Sequence, residues 1–313
     1  MKPEEAVEEV PFDSAIDLVN YLRPSNPVWG ADRDNPWVFR GHRDAEWELK
    51  PCAWRKDGEY RLKPVSDFFD SLAREKVKRR QATGISTCDS EVEVIKSIAA
   101  QLHVLEDFVS LANEIGIGEG LNPFCPTARG FLGHTNLRYD FQRKEETAFA
   151  QHHGIPTFLL DWTHDPFTAT FFAAAGDQTT DQTTAQSIAI WAYDTRVDMG
   201  HIGISRYEPS GALTRYAHAQ RSVFLYHEKG VDWRMSKGCW PSILNALQEE
   251  GVSRFERQPF RKVTLPRDQC NALLRILWRE RKTLAHLMPS PDNVAKTVMK
   301  SGAALLSNQD SDP

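Results

Sequence analysis

Chemistry is concentrated in two short stretches of this sequence. The first is Trp37-Val38-Phe39-Arg40-Gly41, which sets an arginine at the end of an aromatic, β-branched run bounded by Pro36 and Gly41. Arginine is almost never buried without a partner. A strand ending Phe39-Arg40-Gly41 can point the guanidinium into a cleft, where its planar fork suits a phosphate or carboxylate. Gly41 would then let a ligand approach the backbone. The competing reading is a buried ion pair, with Asp161 as a candidate partner.

The second stretch is QHHGIPTFLLDWTHDP, residues 151–166. It gathers His152, His153, Asp161, Trp162 and Thr163 around a short apolar run, a common way to line a cleft. Asp161 and Thr163 stand just before an expected helix N-terminus, whose orphan amides favour phosphate. Either residue could instead cap that helix. The adjacent histidines point apart on a helix, and no HxxxH or HExxH spacing completes a metal set, so no metal is expected.

Weaker candidates follow. Gln220 precedes, and Glu228 follows, an expected strand; each could reach a ribose hydroxyl or simply be a solvated strand end. Lys76, Lys78, Arg79 and Arg80 read as a solvated basic face of a helix. No GxxxxGK[ST], GxGxxG or GxSxG is present, which removes support for phosphate-loop enzymes, dinucleotide dehydrogenases and α/β-hydrolases.

These residues need elements to hold them. Strands are expected at 37–39, 47–49, 157–160, 187–193, 223–226 and 262–265. Asp13 is positioned to cap a first helix. Helical periodicity runs over 64–83, 89–115 and 138–153, with a Gly- and Pro-rich loop at 116–133. Asp165-Pro166 opens another helix, with proline at its first position. A polar loop follows at 176–186, and two last helices are expected near 266–281 and 292–304. The order predicts one α+β domain over 13–305, a bent mixed or split β-sheet with a large helical insertion at about 60–150, a frayed segment 1–12 and a disordered tail 306–313.

Bulk properties narrow the class. The chain has 313 residues, 41% hydrophobic and 26% charged, which is ordinary for a globular fold. A net charge of −5 gives no global field for nucleic acid or anionic membranes, although 38 Lys and Arg leave room for a local basic groove. No apolar run reaches the roughly 18 residues of a membrane span. The start, MKPEEAVEEVP, has no apolar h-region, so no signal peptide is expected. Cys52, Cys88, Cys125, Cys239 and Cys270 are scattered and read as free thiols in a reducing cytoplasm.

Taken together, Phe39-Arg40-Gly41 with Trp47, Leu49 and Pro51, then Gln151-His152-His153-Gly154 with Pro156-Thr157, then Leu159-Leu160-Asp161-Trp162-Thr163 and Phe171-Phe172-Ala173, resemble the FRG domain family. Ala219-Gln220 before Val223-Phe224 is similar to a later family element, and Leu287 to Asp292 to its end. The resemblance spans about residues 12 to 300. One departure stands out: Phe158 occupies a position where the family usually has arginine, so Arg40 is expected to carry any anion contact alone or with the helix N-terminus at Asp165.

A looser resemblance is to arginine-type ADP-ribosyltransferases. It implies that Arg40 holds the nicotinamide-side phosphate and ribose of NAD, that Thr163 orders the pocket, and that Gln220 or Glu228 bonds the ribose hydroxyl. A carboxylate there would stabilise the oxocarbenium ion that forms as the glycosidic bond breaks. The functions in view are an NAD-cleaving transferase or glycohydrolase acting as a bacterial toxin or phage-defence effector, a non-catalytic nucleotide- or nucleic-acid-sensing module, and a partner-binding scaffold. A nucleotide ligand, NAD in the first reading, is expected, with no metal and no membrane.

Overall fold

The computed structural model describes residues 6–30, 35–88, 90–118, 121–122, 127–134, 137, 144–175, 185–209, 219–250 and 257–306. Seven strands form one sheet, β1 (Val7–Pro11), β2 (Trp37–His42), β3 (Leu160–Thr163), β4 (Ser187–Asp194), β5 (Ile204–Tyr207), β6 (Ser222–His227) and β7 (Phe260–Pro266). Their spatial order is β1-β7-β4-β2-β3-β6-β5. Only β1 and β7 run parallel; every other pair is antiparallel, so the sheet is mixed and the fold α+β.

Twelve helices surround it among the described residues. Before the sheet's second strand comes α1 (Ala15–Leu22). The insertion between β2 and β3 holds α2 (Lys56–Phe68), α3 (Asp70–Ala82), α4 (Glu91–Glu114), α5 (Ala128–Gly133) and α6 (Lys144–His152). The remainder are α7 (Pro166–Ala174), α8 (Gly230–Lys237), α9 (Ile243–Glu250), α10 (Cys270–Arg279), α11 (Leu284–Leu287) and α12 (Pro291–Leu306).

Alternation along the strands divides the core. On one face Val38, Leu160, Trp162, Trp191 and Val223 pack with Ile243 and Leu247 of α9. The other face is covered in two pieces. Phe39, Ile190 and Val263 pack under α1, α7 and α10, whereas Phe224 and Tyr226 pack under the insertion. The seam between those pieces runs over β2 and β3.

That seam coincides with a parting of the strands. β2 shares six register positions with β4, and β3 shares four with β6, but β2 and β3 share only Phe39↔Thr163. Continuing that register would set Gly41 opposite Asp161, and no such pair forms. The sheet is therefore split at this point, and the fork opens from Arg40 and Asp161 onward.

Several expectations change. Residues 7–11, read as part of a frayed end, form β1, because Glu8 and Glu9 pair with Arg261 and Lys262 on β7 and make an acidic stretch compatible with a sheet edge. Residues 47–49 are not a strand; Trp47 N–H bonds Asp44 O in a turn and Leu49 O accepts from Ile243 N–H, so no partner strand is available. The expected strand 157–160 lies three residues later, so Asp161, Trp162 and Thr163 sit inside β3 rather than past it. Ser14, not Asp13, is the N-cap of α1. The stretch 64–83 is two helices that begin earlier and break at Phe69, and α5 occupies part of the expected loop 116–133. Cys125, most of the polar loop 176–186 and nearly all of the tail 306–313 lie outside the described residues.

The basic run is no solvated face. Lys76 is only 1% exposed, donates to the Phe131 and His134 carbonyls, and lies 4.1 Å over the Phe131 ring. Arg80 pairs with the fully buried Glu91, and Arg79 donates to Leu132 O at 2.9 Å. Only Lys78 of the four simply faces solvent. A long stem can be buried when its charged head finds carbonyls or a carboxylate, which a count of charges cannot reveal.

Gly41 shows how closely α7 sits on β2. A Cβ there would fall 2.0 Å from Ala169 O and 2.7 Å from Ala173 N. Both are backbone atoms that cannot move alone, so Gly41→Ala should cost about 3 kcal/mol in urea unfolding. A loss below about 1 kcal/mol would show that α7 is not held at this distance.

Candidate functional site

Arg40 lies at the fork because β2 leaves β3 one residue before it. It is 7% exposed. Nη1 donates to Asp161 O at 2.7 Å and pairs with Asp161 Oδ1 at 2.7 Å, while Nε donates to His42 Nε2 at 2.9 Å. The guanidinium thus takes a carbonyl that a continuing β2–β3 ladder would have served. Of the two readings of Arg40, the ion pair to Asp161 is what forms.

His42 can accept that bond because it stays neutral. Burial, then the Arg40 and Arg55 charges, push its pKa well below the usual imidazole range. Asp161 receives a second donor on Oδ1, Gln151 Nε2 at 3.0 Å. Gln151 is oriented in turn by Thr157, whose hydroxyl donates to Gln151 Oε1 and accepts from Leu159 N–H. The last turn of α6 and the segment leading into β3 therefore fix the carboxylate together.

Asp161 remains ionised. Burial acts to raise its pKa, but the Arg40 charge and hydrogen bond, with Arg55 beyond, outweigh it and hold the carboxyl at about 2. Its side chain is nonetheless 58% exposed. A carboxylate fixed on one oxygen and open to solvent at the other is ready to accept hydrogen bonds from a ligand.

Arg55, unforeseen from sequence, supplies a second cation. It precedes α2, after the short turn Cys52–Trp54, and Nε donates to Lys50 O at 2.7 Å. Among the described residues its guanidinium has no other hydrogen bond and no ion pair. Desolvation and then the Arg40 charge lower its pKa, offset in part by Asp161. Asp161 thus acts on both arginines, with Asp57 adding to its pull on Arg55. Cys52, half-buried beside them, has its thiol pKa raised by burial and is not an activated nucleophile. Phe158 is 2% exposed in the core beneath the insertion. The cation beside Asp161 thus comes from residue 55, and Arg40 is not the lone positive charge.

The remaining candidates are placed as follows. Phe39 and Trp162 are 0% and 2% exposed in the core, with Trp162 against Tyr193 and Phe260. Gly41 admits α7, not a ligand. Thr163 donates its hydroxyl to Gln220 O and accepts from Asp165 N–H at 3.0 Å. Asp165, rather than Asp161 or Thr163, caps α7, accepting from Phe167 N–H and pairing with Lys282. That helix end is thereby already satisfied. His152 is held neutral by burial, its pKa pushed down to about 4, with its ring edge toward Phe224. His153 packs on Phe149 and Phe108, away from its neighbour. Among the described residues no group of three His, Cys, Asp or Glu could hold a metal ion.

Gln220 and Glu228 are not brought to Arg40. Gln220 is 8% exposed and donates to Leu287 O at 3.2 Å, anchoring α11 to the start of β6. Glu228 accepts from Ser205 Oγ at 2.7 Å beyond the other end of β6. A strand of this length separates them by on the order of 20 Å, and neither bonds Arg40 or Asp161. The carboxylate at the site is Asp161.

A family model of the FRG domain matches residues 125–182. The match takes in Gln151, Asp161 and α7 but not Phe39-Arg40-Gly41, so it covers only part of the span from about 12 to 300 over which the resemblance was drawn. No curated protein and no solved structure matches the chain.

The electrostatics set a sign for pH. A carboxyl held below its unfolded value stabilises the fold above that value, near 4, and the contribution is lost as pH falls toward about 2. The stability gap between the natural chain and Asp161→Asn, measured by urea unfolding, should be widest above pH ~4 and close as pH approaches ~2. A gap constant across that window would mean the pair contributes nothing to folding.

Proposed function

For a chain whose residues 125–182 match the FRG domain, we propose that the β2–β3 fork binds a nucleotide, with Arg55 on a phosphate and Asp161 on ribose hydroxyls. The observation that carries this is Arg55, a half-buried guanidinium with one hydrogen bond, beside a solvent-reaching carboxylate that is ionised. Holding such a cation away from water is costly unless an anion completes it. Arg40 is a positioning residue, which keeps Asp161 ionised and fixes where its carboxylate stands. A sensing or effector module follows more directly than an enzyme.

A second reading has one observation in its favour. Asp161 is an ionised carboxylate next to cations, so a ribose held against it would expose its anomeric carbon to a fixed negative group. That arrangement supports cleavage of the nicotinamide–ribose bond of NAD, by water or by transfer of ADP-ribose to an acceptor, and with it a role as a toxin or phage-defence effector. Against it, Arg40 and Gln151 already draw on the same carboxylate, which weakens its help to an oxocarbenium ion.

Calorimetric titration with ADP-ribose and with NAD separates these outcomes. Arg55→Gln should weaken ADP-ribose binding about tenfold or more while leaving the thermal midpoint in place. Undiminished binding in that variant, or none in the natural chain, would sink the nucleotide reading. Release of nicotinamide from NAD, lost in Asp161→Asn, would establish the second reading; binding without release would exclude it for NAD.

A further inference from the structure

Outside the fork a groove of about 350 Å³ lies between the insertion and α8. One wall is α2, with Lys56, Glu59, Tyr60 and Lys63; the other is α4, with Glu93 and Ser97; Arg234 and Trp240 complete it. Its volume falls in the range of small-molecule sites.

The charges on these walls are not equally available. Asp67 and Glu93 are taken up by Lys63 and Lys96, at 2.9 Å and 3.1 Å. Among the described residues the side chains of Lys56 and Glu59 have no partner. Arg234 spends one bond on Gly238 O and lies 5.7 Å over the Trp240 ring. Trp240 is 3% exposed, yet its indole N–H has no acceptor among the described residues. A buried indole N–H ordinarily finds one. Two uncommitted cations, Lys56 and Arg234, thus line one groove with a single uncommitted carboxylate, Glu59, while the Tyr60 ring stands 78% exposed beside them.

The Trp240 end of the groove is firmly built. Trp240 stacks on Trp54 with centroids 4.9 Å apart and planes 4° apart. A Cβ on Gly230 would lie 2.4 Å from the Trp54 ring, so α8 closes on that indole as well. A wall fixed this way costs little to organise when a ligand arrives.

We propose that this groove is a second binding site, for a compact organic anion carrying a flat ring and a hydrogen-bond donor. Lys56 and Arg234 take the anion, Tyr60 covers the ring, and Glu59 accepts from the donor, with Trp240 forming the wall behind them. A nucleoside monophosphate and an aromatic α-amino acid both present this chemistry, the first through phosphate and hydroxyl, the second through carboxylate and ammonium.

The test uses the full chain, with AMP and phenylalanine as probes. Calorimetry gives affinity, and the indole N–H resonance of Trp240, identified by its absence from Trp240→Phe, reports the place. One probe should bind and move that resonance. Lys56→Gln with Arg234→Gln should weaken it about tenfold or more, since both positions lie at the groove edge. Arg55→Gln should leave it unchanged, which separates this site from the fork. AMP alone binding identifies the phosphate source; phenylalanine alone identifies the carboxylate. The proposal is overturned if neither probe moves the resonance at millimolar concentration. It is equally overturned if binding ignores Lys56 and Arg234, or follows Arg55 instead.

Discussion

Where β2 and β3 part, one guanidinium stands in for the missing backbone rung. Arg40 bonds the Asp161 carbonyl and carboxylate at once, and His42 accepts its third contact. Everything at the fork depends on this arrangement. The buried arginine needs the carboxylate, the carboxylate needs the arginine to stay ionised, and the histidine must remain neutral to accept from Nε. The strand separation this bridge spans is also what lets Asp161 reach solvent from within a sheet.

How a strand residue comes to be both bonded and exposed follows from the layers. Helices cover the second face of the sheet in two blocks, and the seam between them runs over β2 and β3. Each block brings something to the fork. On the β2 side α7 presses against Gly41. On the β3 side α6 delivers Gln151, and the turn before α2 delivers Arg55. The large insertion between β2 and β3 is thus the source of half the site.

Much of this was legible in the residues. Arg40 and Asp161 were visible as an unusual arginine and its candidate partner, and β4, β6 and β7 were marked by apolar runs at 187–193, 223–226 and 262–265, whereas β5 was not. Three things were hidden, each for a physical reason. β1 reads as a charged tail because its glutamates find arginine and lysine on β7, a partner some 250 residues away. Lys76 reads as a surface charge because nothing local shows that Phe131 and His134 will offer carbonyls. Arg55 is not singled out at all, because its electrostatic coupling to Asp161 exists only after the insertion has folded back. Gln220 and Glu228 were singled out because their types suit a ribose, and only the folded strand shows that they stand at opposite ends of β6 with other partners, Leu287 O and Ser205 Oγ.

The tight seat of α7 on Gly41 sets one part of the sheet apart from the rest. A helix in backbone contact with a strand has no side-chain cushion between them, so β2, β4 and α7 act as one slab. In the hydrogen-bond ladder β3 meets that slab at a single register pair, while its fuller pairing is to β6; what joins it to the slab otherwise is side chains, Arg40 at the fork and Trp162 packed on Tyr193 and Phe260. The β2–β3 seam is therefore the one line in the sheet where side chains, rather than a ladder of backbone bonds, carry the load, with Phe39 and Thr163 as its single rung.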